Sequence, residues 1–245
     1  MPDSTLDLPA MLRTLGFRAS KDMVAALLTH ATKSRLSPVQ TLEELVALER
    51  RERDARNLAR RTKLATLGRM RTLDCFDWNH PRKIDRGLYD ALLGLDFIEQ
   101  RHNVLLRGPS GVGKSTLAQN LGLEALKRGY SVRFTTLATA LADLLKQESL
   151  PALDRRLRRY TQPALLILDE IGYLPCDSRA ADLLFNIVSR RHEERSTVIT
   201  TNLAFKTWGT IFPGAACVAA LVDRFTENCH VLDIDGDSWR QRKTD

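Results

Sequence analysis

The sequence lacks the features that mark membrane and secreted proteins. None of its apolar runs has the length of a transmembrane segment, and its N-terminal stretch lacks the apolar segment of a secretory signal. Cysteine occurs only four times, at scattered positions and without a C-x-x-C pair, so we predict neither a disulfide framework nor a zinc site. With 43% apolar and 27% charged residues, the 245-residue chain has the composition of a soluble globular protein. We therefore expect a cytoplasmic protein without a membrane partner.

Aromatic residues are also scarce, at 6%, and the most basic stretch contains none. Between Arg50 and Arg71, nine Lys and Arg residues stand against two acids, an excess of seven that equals the net charge of the chain. A charge run is usually a solvated helix face, but one so one-sided repels itself unless it meets a polyanion. Because base-stacking aromatics are absent, the stretch favours phosphate contacts to double-stranded DNA over single-strand binding. The residues predicted to make these contacts are Arg50, Arg51, Arg53, Arg56, Arg60, Arg61 and Lys63.

Residues 1–68 predict a small helical domain. Apolar residues recur there at helical spacing, and Ser-Pro-Val-Gln at residues 37–40 is a helix-start signal with a capping box. The helix that follows is expected to run through the basic stretch to about Leu67, with Gly68 as its stop. Residues 69–82 are interpreted as a linker, because Asn-His-Pro at its end interrupts any helix.

Residues 83–245 begin with a short helix and then alternate apolar strands with helices, which predicts a parallel sheet covered on both faces. Ligands of such sheets bind at the carboxyl ends of the strands. The predicted strands are Asn103–Arg107, Ser131–Thr135, Ala164–Leu168, Thr197–Thr201 and Cys229–Asp233. The predicted helices between them are Lys114–Lys127, Leu137–Gln147, Leu153–Tyr160, Ala180–Glu193 and Ala216–Phe225.

Residues 108–115 fit the phosphate-binding pattern G-x-x-x-x-G-K-[ST] and lie between a predicted strand and a predicted helix. The glycines let successive backbone N–H groups turn towards a phosphate, and the helix N-terminus adds positive potential. Lys114 is predicted to reach the β- and γ-phosphates and Ser115 to hold Mg²⁺. The alternative is a glycine-rich turn that binds nothing, which the flanking strand and helix disfavour. The predicted nucleotide-binding residues are Gly108, Pro109, Ser110, Gly111, Val112, Gly113, Lys114, Ser115 and Thr116.

Two acids follow the strand Ala164–Leu168. Asp169 at the tip of a buried strand is predicted to hold Mg²⁺ through its water shell, which is the Walker B role. Glu170 is predicted to orient and deprotonate the attacking water, a group that a pure nucleotide binder does not need. The alternative is that both acids only cap the strand.

Other polar residues follow later elements of the predicted core. Asn202 comes after the next strand, where an amide can reach the γ-phosphate or the water. Arg224 near the end of a helix either complements the helix C-terminus or acts as an arginine finger on the γ-phosphate of a neighbouring subunit. A second basic patch, with only Glu148 and Asp154 near it, is either a solvated face or part of a DNA path. It consists of Arg155, Arg156, Arg158 and Arg159.

The order of four tracts along the chain resembles that of AAA+ ATPases of the initiator and helicase-loader branch. The tracts are Gly108–Ser115, Leu166–Glu170, Thr200–Asn202 and Leu221–Phe225. Over nearly its whole length, the chain is similar to the IstB-type ATP-binding proteins encoded by insertion sequences. The tracts that carry this resemblance are Asp169–Pro175, Ile199–Leu203 and Asp233–Arg240, together with the arginine-rich leader and Leu73–Trp78.

The resemblance implies an α/β AAA+ fold, with a five-stranded parallel sheet in the order 5-1-4-3-2 and a small all-α N-terminal domain. It implies ATP and Mg²⁺ as cofactors, ATP-dependent self-assembly on double-stranded DNA, and delivery of target DNA to a cognate transposase. Because the chain ends soon after the last strand, no full helical lid is expected, and Arg240 is the candidate for the sensor that a lid would carry. Separately, Phe76–Trp78 of the linker are candidate adenine contacts. The residues that receive the Walker, sensor and finger roles are Lys114, Ser115, Asp169, Glu170, Asn202 and Arg224.

Three other functions stay open on the sequence. A replicative helicase loader of the DnaC type would share the ATPase core and differ in its partner. A P-loop kinase for a small metabolite would need neither the basic stretch nor an arginine finger. An adaptor that binds DNA without hydrolysing ATP would show no turnover.

Overall fold

The computed structural model of the chain describes residues 7–172, 177–212 and 216–240. The chain divides into two compact units, Met1–Arg60 and Arg61–Asp245, so the division comes before the boundary predicted at residue 68. Of the predicted tract Asp169–Pro175, the last three residues lie outside the described residues.

From residue 7 on, the first part of the chain forms the helices α1 (Leu8–Thr14), α2 (Lys21–Lys33) and α3 (Pro38–Ala65). The last residues of α3 belong to the second unit. Helix α3 begins with the predicted capping box: Gln40 N–H donates to Ser37 Oγ at 3.2 Å, and Ser37 N–H donates to Gln40 Oε1 at 2.8 Å. The helix ends at Ala65, slightly earlier than predicted.

A buried carboxylate joins the elements of the first unit. Glu49 Oε2 accepts the backbone N–H groups of Arg18 and Ala19 at 2.6 and 3.0 Å, and Oε1 accepts Arg53 Nε at 2.6 Å. These donors satisfy a charge whose burial would otherwise destabilise the fold. The small apolar core beside it consists of Ala19, Val24 and Leu48.

The second unit is an α/β domain. Its strands are β1 (Lys83–Ile84), β2 (Asn103–Arg107), β3 (Val132–Thr136), β4 (Leu165–Ile171), β5 (Ser196–Thr201) and β6 (Cys229–Asp235). Its helices are α4 (Arg86–Leu93), α5 (Asp96–Glu99), α6 (Lys114–Lys127), α7 (Leu137–Leu145), α8 (Leu150–Thr161), α9 (Ser178–Arg191), α10 (Trp208–Ile211) and α11 (Val218–Thr226). Short 3-10 helices cover Leu73–Cys75 and Phe205–Thr207.

The sheet has the order β1-β6-β2-β5-β4-β3. Strands β2 to β6 are parallel, and their order confirms the predicted 5-1-4-3-2 arrangement. The sixth strand, β1, was not predicted; it pairs antiparallel with β6 through Lys83–Asp235 and Ile84–Ile234. A two-residue strand has no hydrophobic periodicity by which a sequence pattern could reveal it.

Strands β2 and β4 contain continuous apolar runs because helices cover both faces of the sheet. Helices α6 and α7 pack on β4, and α9 packs on β5. Strand β2 ends immediately before the phosphate-binding loop, and β4 contains Asp169 and Glu170. Across the described ranges, no helix is both long enough and apolar enough to cross a bilayer.

Two helices begin earlier than predicted because side chains cap them. Ser149 Oγ accepts Ala152 N–H at 3.4 Å, and α8 therefore starts at Leu150. Asp177 Oδ1 accepts Ala180 N–H at 2.7 Å, and α9 starts at Ser178. Ser and Asp are favoured N-caps because they satisfy N–H groups that the first turn leaves unpaired.

Candidate nucleotide-binding site

The loop between β2 and α6 has glycine in a left-handed backbone conformation at two positions. Gly111 and Gly113 have φ angles of +82° and +97°, in the left-handed region that glycine tolerates. A Cβ on Gly111 would lie 2.1 Å from Ser238 Oγ, and a Cβ on Gly113 would lie 2.4 Å from the Phe76 ring. A larger residue at Gly111 would therefore displace Ser238, and one at Gly113 would displace the Phe76 ring.

Lys114 begins α6 and is buried. Its Nζ donates to the carbonyl oxygens of Gly108 and Pro109, both at 2.7 Å, so the ammonium group lies within the curl of the loop. Burial lowers the pKa of Lys114 to about 8, a shift that Asp169 opposes and Arg240 reinforces. A phosphate bound in the loop would stabilise the charged form of this side chain.

The two predicted magnesium ligands lie next to each other. Ser115 Oγ donates to Asp169 Oδ1 at 2.9 Å, and Thr200 Oγ1 on β5 donates to the same oxygen. Asp169 is buried, so these hydroxyl donors satisfy a carboxylate that has little access to water. The parallel pairing of β4 with β5 brings Asp169 and Thr200 together, and Ser115 meets them from the first turn of α6.

Glu170 has a backbone conformation that the sequence did not indicate. Its φ angle is +63°, and the pairing of β4 with β5 shifts register between Leu168 and Ile171. Its N–H donates to Thr200 Oγ1 at 3.0 Å. A left-handed conformation costs a non-glycine residue about 1–2 kcal/mol. Bulges of this kind redirect side chains at active sites, and Glu170 contributes to the cavity above the loop.

A cavity of about 530 Å³ lies over the loop, within the size range of small-ligand sites. The loop, the start of α6, Glu170 and Thr200 form part of its lining. The rest comes from the linker and from residues 236–240, which we call the tail. The linker contributes Arg69, Arg71, Phe76 and His80, and the tail contributes Trp239 and Arg240.

The linker and the tail are joined to each other and to the loop. His80 Nε2 lies 2.8 Å from the Asp237 carbonyl oxygen, and Arg82 forms an ion pair with the Asp237 side chain at 3.2 Å. The His80 and Trp239 rings meet edge to face, with centroids 4.8 Å apart. The backbone N–H of Trp239 donates to the Gly111 carbonyl oxygen at 3.1 Å. Two segments far apart in sequence thus close one side of the cavity.

The structure does not bring Asn202 to this cavity. Asn202 is exposed, and its side-chain oxygen lies 3.3 Å from the position that a Cβ on Gly172 would take. Among the polar residues of β5, Thr200 is the one that lines the cavity and bonds to Asp169. The sequence places both residues in one run, and the tertiary contacts distinguish them.

Arg224 lies on α11, away from the cavity of its own chain. Its guanidinium donates to Ser189 Oγ and stacks over the Phe185 ring at 4.8 Å, both on α9. Within the described ranges, no carboxylate lies within 4.0 Å of it. Arg224 is not among the residues that line the cavity.

The patch Arg155–Arg159 carries less unbalanced charge than its sequence indicates. Arg156 forms a two-pronged ion pair with Asp143, and Arg159 lies 3.9 Å from the same carboxylate. Arg158 and Arg190 both pair with Asp154, at 3.3 and 2.6 Å. The sequence expectation of only Glu148 and Asp154 near the patch is therefore wrong, because α7 brings Asp143 to α8.

The arginines of α3 also differ in environment. Arg53 pairs with Glu49, and Arg56 lies 3.7 Å from Glu52 and donates to the Arg18 carbonyl. Arg61, predicted as a DNA contact, is half-buried and donates to the Leu126 carbonyl oxygen at 3.3 Å. For the remaining basic side chains of α3, the described residues provide no ion-pair partner. They are Arg50, Arg51, Arg60 and Lys63.

These observations fit a nucleoside triphosphate with a divalent cation. The loop offers backbone N–H groups and Lys114 to phosphates, and the cavity has room for a nucleotide. The oxygen donors Ser115 and Asp169 are the ligand type that Mg²⁺ prefers. Both ATP and Mg²⁺ are thus compatible with the residues present.

Comparison with known proteins decides the family. The sequence model of the family described as "IstB-like ATP binding protein" matches residues 10–245. The chain belongs to this family. Members of it are described as ATP-binding, which agrees with the loop and cavity of this IstB-like protein.

Curated relatives extend over most of the chain. A protein of insertion sequence IS21 from Pseudomonas aeruginosa, described by its name as ATP-binding, is 35% identical over 237 residues, which cover 97% of this chain and 89% of the relative. A protein of insertion sequence IS5376 from Geobacillus stearothermophilus, with the same description, is 32% identical and covers 89% of this chain and 87% of its own.

Solved structures support the AAA+ fold. The structure of DnaI superposes with a TM-score of 0.56 at 19% identity, over 66% of this chain and 90% of DnaI. The DnaC helicase loader gives 0.51 at 18% identity, over 64% of this chain and 98% of DnaC. AMPPCP-bound DnaA from Aquifex aeolicus gives 0.52 at 21% identity, over 67% of this chain and about half, 52%, of DnaA. These likenesses concern the fold.

Proposed function

We propose that this IstB-like protein is a magnesium-dependent ATPase that assembles on double-stranded DNA and delivers it to a transposase. The observation that carries the proposal is the meeting of Lys114, Ser115, Asp169 and Glu170 at one edge of the sheet, beside a cavity of nucleotide size. A module that only binds nucleotide needs the first three and has no use for a carboxylate held in a strained conformation at the cavity.

Each residue of the site has a separate task in hydrolysis. The loop N–H groups and Lys114 bind the phosphates and offset their charge. Ser115 and Asp169 would hold Mg²⁺, which would offset negative charge on the phosphates. Glu170 accepts a proton from the attacking water and orients it. Thr200 keeps Glu170 and Asp169 in place through its hydroxyl group.

The site is completed by a second copy of the chain. Arg224 lies outside the cavity of its own subunit and has no carboxylate partner among the described residues, which suits a finger presented to the neighbour's γ-phosphate. Because each subunit then supplies part of the next site, ATP binding and assembly are coupled.

DNA and a transposase are the proposed partners. The unpaired basic residues of α3 suit contacts to phosphates of a duplex, whereas most of the Arg155–Arg159 patch is already paired and leaves chiefly Arg155 available. The relatives at 30–35% identity are proteins of insertion sequences, elements whose movement requires a transposase. DnaI and DnaC are only 19% and 18% identical in sequence to this chain. Their likeness concerns the fold and does not favour a helicase partner.

Replacement of the proposed base tests the function. Glu170→Gln should lower ATP turnover by about 10²–10⁴-fold, the usual contribution of a general base, and should trap an ATP-bound oligomer on duplex DNA. Turnover and sedimentation are measured with and without duplex, and Glu194→Gln, an exposed acid elsewhere on the domain, is the control.

Three outcomes would argue against the proposal. Normal turnover by Glu170→Gln would remove the base assignment. A wild-type rate that ignores duplex DNA would favour a small-metabolite kinase. Complete lack of turnover by the wild-type protein would favour an adaptor that binds DNA without hydrolysis.

A further inference from the structure

We propose that Arg69 and Arg71 bind the phosphate chain of the nucleotide held by their own chain, and thereby link nucleotide occupancy to the end of α3. The proposal rests on the proposed ATP binding and adds to it. By sequence, both arginines belong only to the basic stretch, whereas the structure places them in the lining of the cavity.

The linker backbone is attached to the helix that carries the phosphate-binding lysine. Gln119 Nε2 donates to the Leu67 carbonyl oxygen at 2.7 Å, and Asn120 Nδ2 donates to the Arg71 carbonyl oxygen at 2.8 Å. Both amides lie within two turns of Lys114 on α6. The backbone around Arg69 and Arg71 is therefore fixed to α6, beside the cavity that their side chains line.

The charges of the cavity call for a polyanion. Four cations line it, namely Lys114, Arg69, Arg71 and Arg240, whereas the carboxylates in its lining are Asp77 and Glu170. In the described part of the chain, none of the three arginines has an ion-pair partner within 4.0 Å. Guanidinium groups form bidentate hydrogen bonds with phosphates, so a phosphate chain would balance the excess positive charge of the lining.

The two arginines do not continue the basic face of α3. The helix ends at Ala65, and Thr66 and Gly68 both have left-handed backbone conformations, with φ angles of +56° and +68°. Thr66 Oγ1 donates to the Phe134 carbonyl oxygen at 2.6 Å, which fixes the turn on β3. The helical periodicity that relates the residues before Ala65 is thus lost before Arg69, so Arg69 and Arg71 do not share the helix face of the earlier basic residues.

The same attachments reach back to the last turn of α3. Arg61 donates to the Leu126 carbonyl at the other end of α6, and Arg133 on β3 donates to the Leu64 carbonyl at 3.2 Å. Residues 61–71 are therefore tied to both ends of the helix that binds the phosphates. A nucleotide that draws Arg69 and Arg71 towards it acts on this segment directly.

The test uses the full chain without DNA and compares AMP, ADP and a non-hydrolysable ATP analogue in the presence of Mg²⁺. The double variant Arg69→Ala/Arg71→Ala should bind the ATP analogue at least about tenfold more weakly, because each charge-assisted hydrogen bond that is removed weakens binding by roughly that factor. The loss should be smaller for AMP, and Arg69→Lys/Arg71→Lys should restore part of the affinity. Arg179→Ala, an exposed arginine on α9, is the matched control.

A second measurement separates this role from DNA binding. Without nucleotide, the salt dependence of duplex binding should be the same for the double Ala variant and the wild type. Unchanged affinity for the ATP analogue, an equal loss for AMP, or a flatter salt dependence would each overturn the proposal. If the wild-type chain binds no ATP, the proposed function itself fails. If the wild type binds ATP and the double Ala variant binds it equally well, only the role of Arg69 and Arg71 fails. If the double Ala variant does not fold, the double Lys variant is measured in its place, and its affinity for the ATP analogue should still lie below that of the wild type.

Discussion

Ser115 and Asp169 share a direct hydrogen bond, in which the hydroxyl at the start of α6 donates to the carboxylate on β4 at 2.9 Å. The two residues are 54 positions apart, and the parallel sheet brings them together. Both side chains offer oxygen, the ligand type that Mg²⁺ prefers, and this relationship leads to the first prediction.

Removal of the Ser115 hydroxyl should abolish the effect of Mg²⁺ on nucleotide affinity. For the wild type, Mg²⁺ should strengthen binding of an ATP analogue, whereas Ser115→Ala should bind it almost equally with Mg²⁺ and with EDTA, because one oxygen ligand is gone. Calorimetry checks this, with Ser34→Ala on the exposed end of α2 as the control. A Mg²⁺ effect of wild-type size in Ser115→Ala would contradict the assignment.

Nucleotide affinity should fall as the pH rises above 8. Burial lowers the pKa of Lys114 to about 8, so the side chain of the empty site becomes neutral above that value, whereas bound phosphates favour the charged form. Binding must then take up a proton, and affinity should fall by up to about tenfold per pH unit. Calorimetry in buffers of different ionisation enthalpy at pH 8 should show uptake of about half a proton.

The variant Lys114→Arg is the matched comparison for this pH dependence. An arginine stays charged throughout the range, so its affinity between pH 7 and pH 9 should be nearly constant. The same steep fall in both proteins would show that another group causes it.

Arg224→Ala should lose hydrolysis and keep nucleotide binding, because Arg224 lies outside the cavity of its own chain. Mixing provides a sharper test. Arg224→Ala and Glu170→Gln should each be inactive alone, but a mixture should regain turnover, since a site with an intact Glu170 can receive the intact Arg224 of its neighbour. A mixture as inactive as its components would show that Arg224 acts within one chain.

The basic residues of α3 should differ in their effect on DNA binding. Replacement of Arg50, Arg51 and Arg60 by Gln should lower the slope of log affinity against log salt by about 0.9 for each DNA phosphate that the protein no longer neutralises. Arg53→Gln should change the slope less, because Arg53 is already paired with Glu49. Equal slopes for the triple variant and the wild type would identify the stretch as a solvated face.

The first unit should loosen in acid through Glu49. Burial alone would raise the pKa of Glu49, but hydrogen bonds from Arg53 and from the amides of Arg18 and Ala19 bring it below its ordinary value. A lowered carboxyl pKa contributes stability at pH values above the unfolded pKa, and this stability is lost as the pH falls through the folded pKa. Hydrogen-exchange protection of the Arg18 and Ala19 amides should therefore fall below about pH 4.

Glu49→Gln tests the origin of that acid sensitivity. It should show weaker protection at neutral pH and almost no further change in acid, because no charge is left to neutralise. If protection in the wild type and in Glu49→Gln declines in parallel, other carboxylates cause the acid transition.

Local patterns in the sequence predicted much of this fold. The capping box at Ser37 and Gln40, the bounds of α6 and the five parallel strands with their order all appear as expected. Each follows from periodicity, caps or glycine placement, or from the resemblance to a known family. The antiparallel strand β1 was missed because two residues carry no pattern.

The site was less predictable where it depends on distant residues. The bulge that turns Glu170 and pairs it with Thr200 arises from the register of two strands. The ion pairs that Asp143 makes with Arg156 and Arg159 arise from the packing of α7 on α8. No spacing within the sequence reports either arrangement.

The sequence by itself determined the chemistry of the loop. The residue types that bind a phosphate lie close together in the chain, so their spacing already specifies such a site. They are Gly111, Gly113, Lys114 and Ser115. Only the tertiary structure decided which groups enclose that site: Thr200 of β5, the linker with Arg69 and the tail with Trp239, the last two joined to each other at one side of the cavity. These groups come from segments near opposite ends of the second unit, and the contacts that join them depend on the packing of the whole sheet, which no local pattern encodes.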